Sequence, residues 1–181
     1  MTKSSVTKFS PISIGLHWLM LLLLVAVYAT MELRGIFPKG STPREAMKTF
    51  HYMLGLSVFV LVWLRLVARW VHPTPAIQPT PPQWQTYLAR AVHLALYALM
   101  IAMPLLGWTV LSAEGKPIPF FGLQLPALVA ENKALADQIM ELHENIAVVG
   151  YVLIGIHAAA ALFHHYVMRD NTMQRMSLLN K

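Results

Sequence analysis

Four long apolar stretches constrain the fold of this chain of 181 residues more than any other feature. Each stretch has about the 20 residues that an α-helix needs to cross the hydrocarbon of a bilayer. Within lipid, backbone polar groups must be satisfied by the chain itself, which favours helices for segments of this length. The sequence therefore predicts an all-α membrane protein, a bundle of four transmembrane helices at about residues 12–31, 51–71, 88–112 and 143–168. We expect residues 1–181 to form one domain of this kind.

Composition agrees with a membrane bundle and excludes several kinds of site. The mean hydropathy is +0.52 and only 12% of the residues are charged. The chain has no cysteine, which excludes disulfides, thiolate metal sites, iron–sulfur clusters and covalently attached c-type haem. The net charge of +6 requires no nucleic-acid partner, because basic residues flanking membrane helices account for it.

The connections between the apolar stretches differ in character. Residues 72–87 contain five prolines, which favour an extended and stiff path. Residues 113–142 are longer, and we expect their second half, 135–142, to form a separate helical segment at the membrane surface.

The distribution of basic residues favours cytoplasmic N- and C-termini. Lysine and arginine are enriched on the cytoplasmic side of membrane proteins. With both termini inside, the inner basic residues are Lys3, Lys8, Arg65, Arg69, Arg90, Arg169, Arg175 and Lys181, and the outer ones are Arg34, Lys39, Arg44, Lys48, Lys116 and Lys133. The chain is therefore predicted to cross the membrane several times, with both termini in the cytoplasm.

Four histidines lie at matching depths in the predicted helices. His157 follows His143 by 14 residues, which is a helical rise of about 21 Å with both rings close to one face. In the predicted topology His17 lies near the inner end of the first helix, and His51 lies near the outer end of the second. The depths pair His17 with His157 and His51 with His143.

Histidine is a strong axial ligand of haem iron, and ligation explains polar side chains at such depths. The sequence therefore predicts two stacked haems, with these four histidines as cofactor-binding and iron-ligating residues. For any one of these histidines taken alone, a hydrogen bond between helices or a place among the headgroups is the better explanation, and it is the set of four that indicates haem. Gly150, midway between the two histidines of the fourth helix, gives room for a porphyrin or for close packing of helices.

Two arginines follow His51 on nearly the same helical face. Arg65 and Arg69 lie 14 and 18 residues beyond it, at the depth of the inner haem edge. A guanidinium can bind a haem propionate through two parallel hydrogen bonds, which is our prediction for Arg65. For Arg69 the better interpretation is a side chain that reaches the inner headgroups.

The fourth helix ends with two adjacent histidines. His164 follows His157 by seven residues and keeps nearly the same face, whereas His165 is turned about 100° away. A quinone headgroup needs hydrogen bonds and protons when it is reduced, and a histidine can supply both. His164 is therefore the candidate catalytic residue. An interfacial histidine facing lipid headgroups explains the same position.

Several blocks of sequence resemble the bacterial di-haem cytochrome b561 family over nearly the whole chain. They are Ile14-Gly-Leu-His-Trp18, Met31-Glu-Leu-Arg-Gly-Ile-Phe-Pro38, His51 at a basic-flanked helix start, His143-Glu, and the long block from Gly150 through Gly-Ile-His157-Ala-Ala-Ala-Ala-Leu-Phe-His-His-Tyr166 to Asp170-Asn-Thr172. The resemblance implies four axial histidines at His17, His51, His143 and His157. It also implies that the haems are of b type and that the chain is an oxidoreductase of a bacterial inner membrane, similar to a superoxide:ubiquinone oxidoreductase, with His164 at the quinone.

Apart from this resemblance, the residues support electron transfer more strongly than they support superoxide as the donor. A basic outer loop with Arg34, Lys39, Arg44 and Lys48 would attract an anion, but it is equally typical of a solvated loop of mixed charge. One alternative is a haem subunit that relays electrons between a partner dehydrogenase or hydrogenase and quinone. A second is a haem-free membrane transporter or scaffold.

Overall fold

The computed structural model describes residues 7–178 and contains four long helices. These are α1 (Pro11–Leu33), α2 (Thr42–Val71), α3 (Gln83–Ala113) and α4 (Lys133–Phe163). All four are long and apolar enough to cross a membrane, as predicted. A π-helical turn, His164–Met168, continues α4, and short 3₁₀ turns lie at Arg34–Ile36 and Gln174–Met176.

Three of the helices, α2, α3 and α4, begin at least five residues before the predicted apolar stretches do. Counting apolar residues finds the part of a helix that crosses lipid, but it misses polar turns that extend beyond the membrane. Helix α2 starts at Thr42, where Pro43 stands at the first turn. Helix α4 starts at Lys133, and the side chain of Asn132 caps it by accepting a hydrogen bond from the Leu135 N–H. The prediction that residues 135–142 are helical is confirmed, but the segment is the beginning of α4 and does not precede it as a separate helix.

A small β-hairpin lies in the connection between α3 and α4. Strand β1 (Ile118–Phe120) pairs in antiparallel fashion with β2 (Leu123–Leu125). Ile118 is buried against Leu56 of α2 and Leu111 of α3, so the hairpin covers the end of the bundle. The sequence analysis did not predict these strands, each of which has only three residues.

The helices pack as two adjacent pairs. Helix α1 packs along α2 and α3 along α4, and the pairs join where α2 meets α3. The central core is formed by Met20, Val58, Val62 and Met100. Large apolar side chains such as Leu22 and Val67 point outward, as expected of a surface that faces lipid. The facing sides of α1 and α4 are connected mainly through long side chains.

The two ends of the bundle differ in what covers them. The terminal end, which is the predicted inner side, carries the first and last of the described residues and the linker of residues 72–82. The hairpin end carries the loop of residues 34–41 and the β-hairpin. At the terminal end, residues 170–177 form a C-terminal strap that is hydrogen-bonded to the linker through Asn171 and Arg175. Of the basic residues used for the topology prediction, Lys3 and Lys181 lie outside the described residues.

Candidate functional site

The first pair of histidines joins α1 to α4 at the terminal end. The ring centres of His17 and His157 are 6.1 Å apart, and the ring planes are inclined by 74°. Both residues are partly buried. We call this pair the terminal-end site.

The second pair joins α2 to α4 toward the other end. The ring centres of His51 and His143 are 6.2 Å apart, with the planes inclined by 71°. We call this pair the hairpin-end site. The pairing of the four histidines is the one that their predicted depths require.

The spacing of both pairs fits a metal ion held between two imidazoles. With metal–nitrogen bonds of about 2 Å and ring centres about 1 Å behind the nitrogens, the centres should lie about 6 Å apart. Within residues 7–178 no three His, Asp or Glu side chains are arranged as a metal site. Two facing imidazoles are instead a complete axial set for an iron whose remaining ligands come from a porphyrin. The donor set therefore fits haem better than it fits a bare metal ion.

Hydrogen bonding at the hairpin-end site also suits a ligand histidine. The Nδ1 atom of His51 lies 3.1 Å from the carbonyl oxygen of Val27. A carbonyl only accepts, so Nδ1 carries the proton and Nε2 keeps a free lone pair. A ligand histidine usually has such a second bond, which fixes its ring orientation. The buried Nδ1 of His143 has no hydrogen bond of good geometry to a described residue.

A cavity of about 470 Å³ surrounds the hairpin-end site. Gly107 of α3 lies beside the His143 ring, and a Cβ there would stand 3.5 Å from Cε1 of that ring. The cavity walls include apolar residues of all four helices. Charged residues also line it, namely Glu32, Arg34, Lys48, Glu114 and Glu144. The cavity is mainly apolar and contains charged groups of both signs, which suits a largely apolar ligand with polar edges.

A third histidine lies at the terminal-end site and was missed by the sequence analysis. The ring of His93, on α3, is centred 5.3 Å from that of His157. Its position 50 residues before His143, on a helix with no other histidine, gave no pairing signal. Only the packing of α3 against α4 brings it to this site.

Arg65 reaches the terminal-end site, near the position predicted for it. Its Nη2 atom lies 3.1 Å from Nδ1 of His17, and its Nη1 atom donates to the Ser13 carbonyl oxygen at 3.4 Å. Arg69 instead lies with its guanidinium carbon 6.0 Å from the centre of the Phe9 ring. The two arginines therefore have different surroundings.

Between the two sites, tyrosines bridge α1 and α4. The Tyr28 hydroxyl donates to the Ala147 carbonyl oxygen at 2.9 Å, and its ring lies 4.3 Å from that of Tyr151. Tyr151 in turn donates to Glu32 at 2.7 Å. The Tyr28 hydroxyl lies directly over Gly150. The space at Gly150 is therefore used for packing of a tyrosine, which favours the second of the two interpretations given above.

His164 follows α4 in the π-helical turn and pairs with a carboxylate. Its Nδ1 atom lies 2.5 Å from Oδ2 of Asp170, which is only 4% exposed. His165 lies instead against Tyr166, with the ring centres 4.7 Å apart. The two adjacent histidines therefore have different environments, and only His164 belongs to a polar cluster.

The four basic residues of the predicted outer loop are not equivalent. Arg44 donates to the carbonyl oxygens of Arg34 and Phe37 and so holds the loop together. Lys48 pairs with Glu45 at 2.8 Å. Among the four, only Arg34 and Lys48 line the cavity at the hairpin-end site. Lys39 is exposed and lies away from it.

Comparison with known proteins identifies the family. The family model of prokaryotic cytochrome b561 matches residues 8–177. The chain belongs to the prokaryotic cytochrome b561 family. It is 43% identical to cytochrome b561 homolog 1 of Escherichia coli (strain K12) over 169 residues, covering 93% of this chain and 96% of that protein. It is 40% identical to the "probable superoxide oxidase CybB" of Yersinia pestis, over 93% of this chain and 95% of that protein.

A third relative, cytochrome b561 homolog 2 of Escherichia coli (strain K12), is 30% identical over 93% of this chain and 90% of its own length. Membership in this family makes the chain a redox protein that transfers electrons in a bacterial membrane and uses haem b. The alternative of a haem-free transporter or scaffold is excluded.

Proposed function

We propose that the chain binds two haems b and moves electrons across the membrane from superoxide to ubiquinone. His17 and His157 would hold one haem, and His51 and His143 the other. The observation that carries the proposal is the existence of two separate histidine pairs, with ring centres 6.1 Å and 6.2 Å apart. One cytochrome with a site toward each face can pass an electron through the bilayer.

Haem b, when bound, supplies a one-electron carrier at each site. The protein residues hold it and set its surroundings. Val27 orients His51 through its carbonyl oxygen. Gly107 leaves room beside the His143 ring. Tyr28 and Tyr151 connect α1 to α4 at the level between the two sites.

Arg65 would change partner when iron binds His17 through Nε2. An arginine only donates hydrogen bonds, so its contact with Nδ1 of His17 requires that nitrogen to be unprotonated. A neutral ligand histidine that binds through Nε2 carries its proton on Nδ1. The two arrangements exclude each other, so the guanidinium is released for another acceptor. A haem propionate is the anion expected there, which agrees with the role predicted for Arg65.

The direction of transfer rests on orientation and on a relative. The basic residues favour a cytoplasmic terminal end, which leaves the hairpin end outside. A relative named as a probable superoxide oxidase supports superoxide as the donor. Two superoxide ions would give up two electrons and leave as oxygen. One ubiquinone would take the two electrons with two protons and leave as quinol. His164, at the terminal end, would supply a proton to the quinone.

The test combines a haem count with a redox assay on the purified protein. A pyridine haemochrome measurement should give about two haems per chain. An enzymatic source of superoxide should reduce the haem bands, and a soluble ubiquinone analogue should reoxidise them. Added superoxide dismutase should abolish the reduction. One haem per chain would contradict the two-site proposal. Haem reoxidised by quinone but not reduced by superoxide would favour a relay fed by a partner dehydrogenase or hydrogenase.

A further inference from the structure

The pair formed by His164 and Asp170 connects the end of α4 to the C-terminal strap. We propose that Asp170 is a positioning residue, which fixes the tautomer of His164 so that its Nε2 atom can pass a proton to ubiquinone. This inference rests on the proposed function. It assigns a role to a buried carboxylate that takes part in neither histidine pair.

The backbone turn after α4 brings the two side chains together. The chain leaves the α-helical path at His164 and makes one π-helical turn to Met168. Such turns are rare and are frequent at functional sites. Arg169 then adopts a left-handed conformation with φ of 53°, which reverses the chain. As a result the Asp170 N–H donates to the His164 carbonyl oxygen at 3.2 Å, and the carboxylate faces the ring.

Hydrogen bonds between the strap and the linker hold Asp170 in place. Asn171 exchanges hydrogen bonds with Gln78 of the linker, through its backbone N–H and its side-chain oxygen. Arg175 donates to the Pro75 carbonyl oxygen at 2.6 Å. The strap is therefore anchored to the linker at two points, both of which follow Asp170 in the chain. A carboxylate held by a fixed backbone can orient a histidine ring.

Asp170 is ionised in this arrangement. Burial opposes its charge, but hydrogen bonds from His164 and from Thr172 outweigh burial and hold the pKa of Asp170 below its usual value. Its Oδ1 atom accepts from the Thr172 N–H at 2.8 Å, and its Oδ2 atom faces His164. Arg175 is the buried cation on the strap that faces this carboxylate.

The charge of Asp170 determines which nitrogen of His164 is protonated. A carboxylate only accepts, so Nδ1 carries the proton and Nε2 is available to the site. The Nε2 atom makes no hydrogen bond to a described residue. A proton from solvent on Nε2 gives a ring with two N–H groups, whose positive charge the carboxylate stabilises. When Nε2 donates that proton to the quinone oxygen, the ring returns to its neutral form and the quinone gains one of its two protons.

The decisive variant is Asp170→Asn, which keeps the shape of the side chain. The asparagine NH₂ would donate to Nδ1 and so force the proton of His164 onto Nε2. That nitrogen could still donate a hydrogen bond to quinone, but the charged form of the ring would lose its partner. We expect kcat for quinone reduction to fall by about tenfold or more, while KM for quinone changes by less than about threefold. Both haems should stay bound, with unchanged absorption bands.

Gln174→Ala is the control on the same strap. The Gln174 side chain is exposed and makes no hydrogen bond to another residue within 7–178, and its removal leaves every hydrogen bond of Asp170 in place. We expect its kcat to equal that of the parent. If both variants lowered kcat equally, Asp170 would act only by stabilising the strap and the inference would be overturned.

A double variant separates positioning from other effects. If Asp170 acts through His164, then Asp170→Asn should add nothing to the loss caused by His164→Ala. Additive losses would contradict the inference. A second measurement does not depend on activity: nitrogen-15 NMR of labelled histidine should show Nδ1–H at His164 in the parent and Nε2–H in Asp170→Asn. A parent that reduces no quinone at all would refute the proposed function, whereas an unchanged NMR tautomer would refute the role of Asp170.

Discussion

At the scale of single residues, the absence of a side chain at Gly150 allows tyrosines to bridge α1 and α4. A Cβ atom added to Gly150 would collide with the Tyr28 hydroxyl and lie 3.2 Å from Leu99. The hydroxyl cannot easily move away, because it donates to the Ala147 carbonyl oxygen and the Tyr28 ring packs against that of Tyr151. Gly150 is therefore required by packing, whatever its effect on helix propensity.

Gly150→Ala should destabilise the protein by roughly 1–3 kcal/mol, the usual cost of overpacking a filled space. A thermal melt in detergent, followed by haem absorbance, would measure the change. Gly155→Ala is the matched control on the same helix, since a Cβ there meets nothing within 4 Å. It should leave the melting temperature unchanged or raise it. Adding Tyr28→Phe to Gly150→Ala should restore part of the loss, because the colliding oxygen is removed.

The four paired histidines give a second prediction at this scale. His17→Ala and His157→Ala should disturb the same haem component, because their rings face each other. His51→Ala and His143→Ala should disturb the other component. Low-temperature absorption spectra and redox titration of each variant would distinguish the two haems. A common component lost in both His17→Ala and His51→Ala would show that the pairing is wrong. His165→Ala should leave both components intact.

At the scale of elements, the C-terminal strap depends on an ionised Asp170. The pKa of Asp170 is lowered from 3.8. A carboxyl whose pKa is lower in the folded protein contributes stability that is present above its ordinary pKa and is lost as pH falls through the folded value. We therefore expect the strap to stay docked from pH 7 down to about 4 and to loosen below that value. Hydrogen exchange at residues 170–177, corrected for intrinsic rates, would follow the opening.

Asp170→Asn provides the control for this pH effect. It has no charge to lose, so the exchange of the strap should depend much less on pH between about 4 and 2. Amides in the centre of α3 should be protected equally in both proteins. Equal acid sensitivity of the strap in the parent and in Asp170→Asn would exclude the carboxylate as its cause.

The elements also show how far the sequence alone could lead. Four apolar stretches predicted four spanning helices, because lipid imposes both their length and their backbone hydrogen bonds. The extension of α4 back to Lys133 is polar and amphipathic, so a count of apolar residues could not include it. The β-hairpin is too short to show an alternating pattern.

The candidate site was also only partly predictable from the sequence. Depth along a helix is a local property, so it could pair four histidines before any packing was known. The contacts of His93 with His157 and of Asp170 with His164 depend on how separate segments meet. The first requires the crossing of α3 and α4, and the second a π-helical turn followed by a left-handed residue. No periodic pattern in the sequence predicts either contact.

At the scale of the whole molecule, charge at the hairpin end is nearly balanced. Acidic residues there include Glu32, Glu45, Glu114, Glu131, Asp137, Glu141 and Glu144, against the six basic residues given above. Several bases are already paired: Lys116 with Glu114 at 2.9 Å, which raises the pKa of Lys116, and Lys48 with Glu45. A long-range field that attracts an anion is therefore weak, and any steering of superoxide must be local.

The local contribution is concentrated in Arg34, whose side chain lines the cavity at the hairpin-end site. Exposed charges are screened over about 8 Å at physiological ionic strength, so only charges close to the entrance should matter. We expect the rate of haem reduction by superoxide to fall modestly as salt rises. Arg34→Gln should lower the rate at low salt and reduce its dependence on salt, because steering acts on association.

Lys39→Gln is the control for Arg34→Gln, since it removes the same charge from an exposed position in the same loop but away from the cavity. It should change the rate less, and the haem spectra should be unchanged in both variants because no ligand is touched. Stopped-flow absorbance after mixing with superoxide would measure the rates. Equal effects of the two substitutions would mean that superoxide responds only to net charge. A rate independent of salt and of both substitutions would mean that encounter at this face is not electrostatic, and no reduction at any salt would favour a donor protein in place of superoxide.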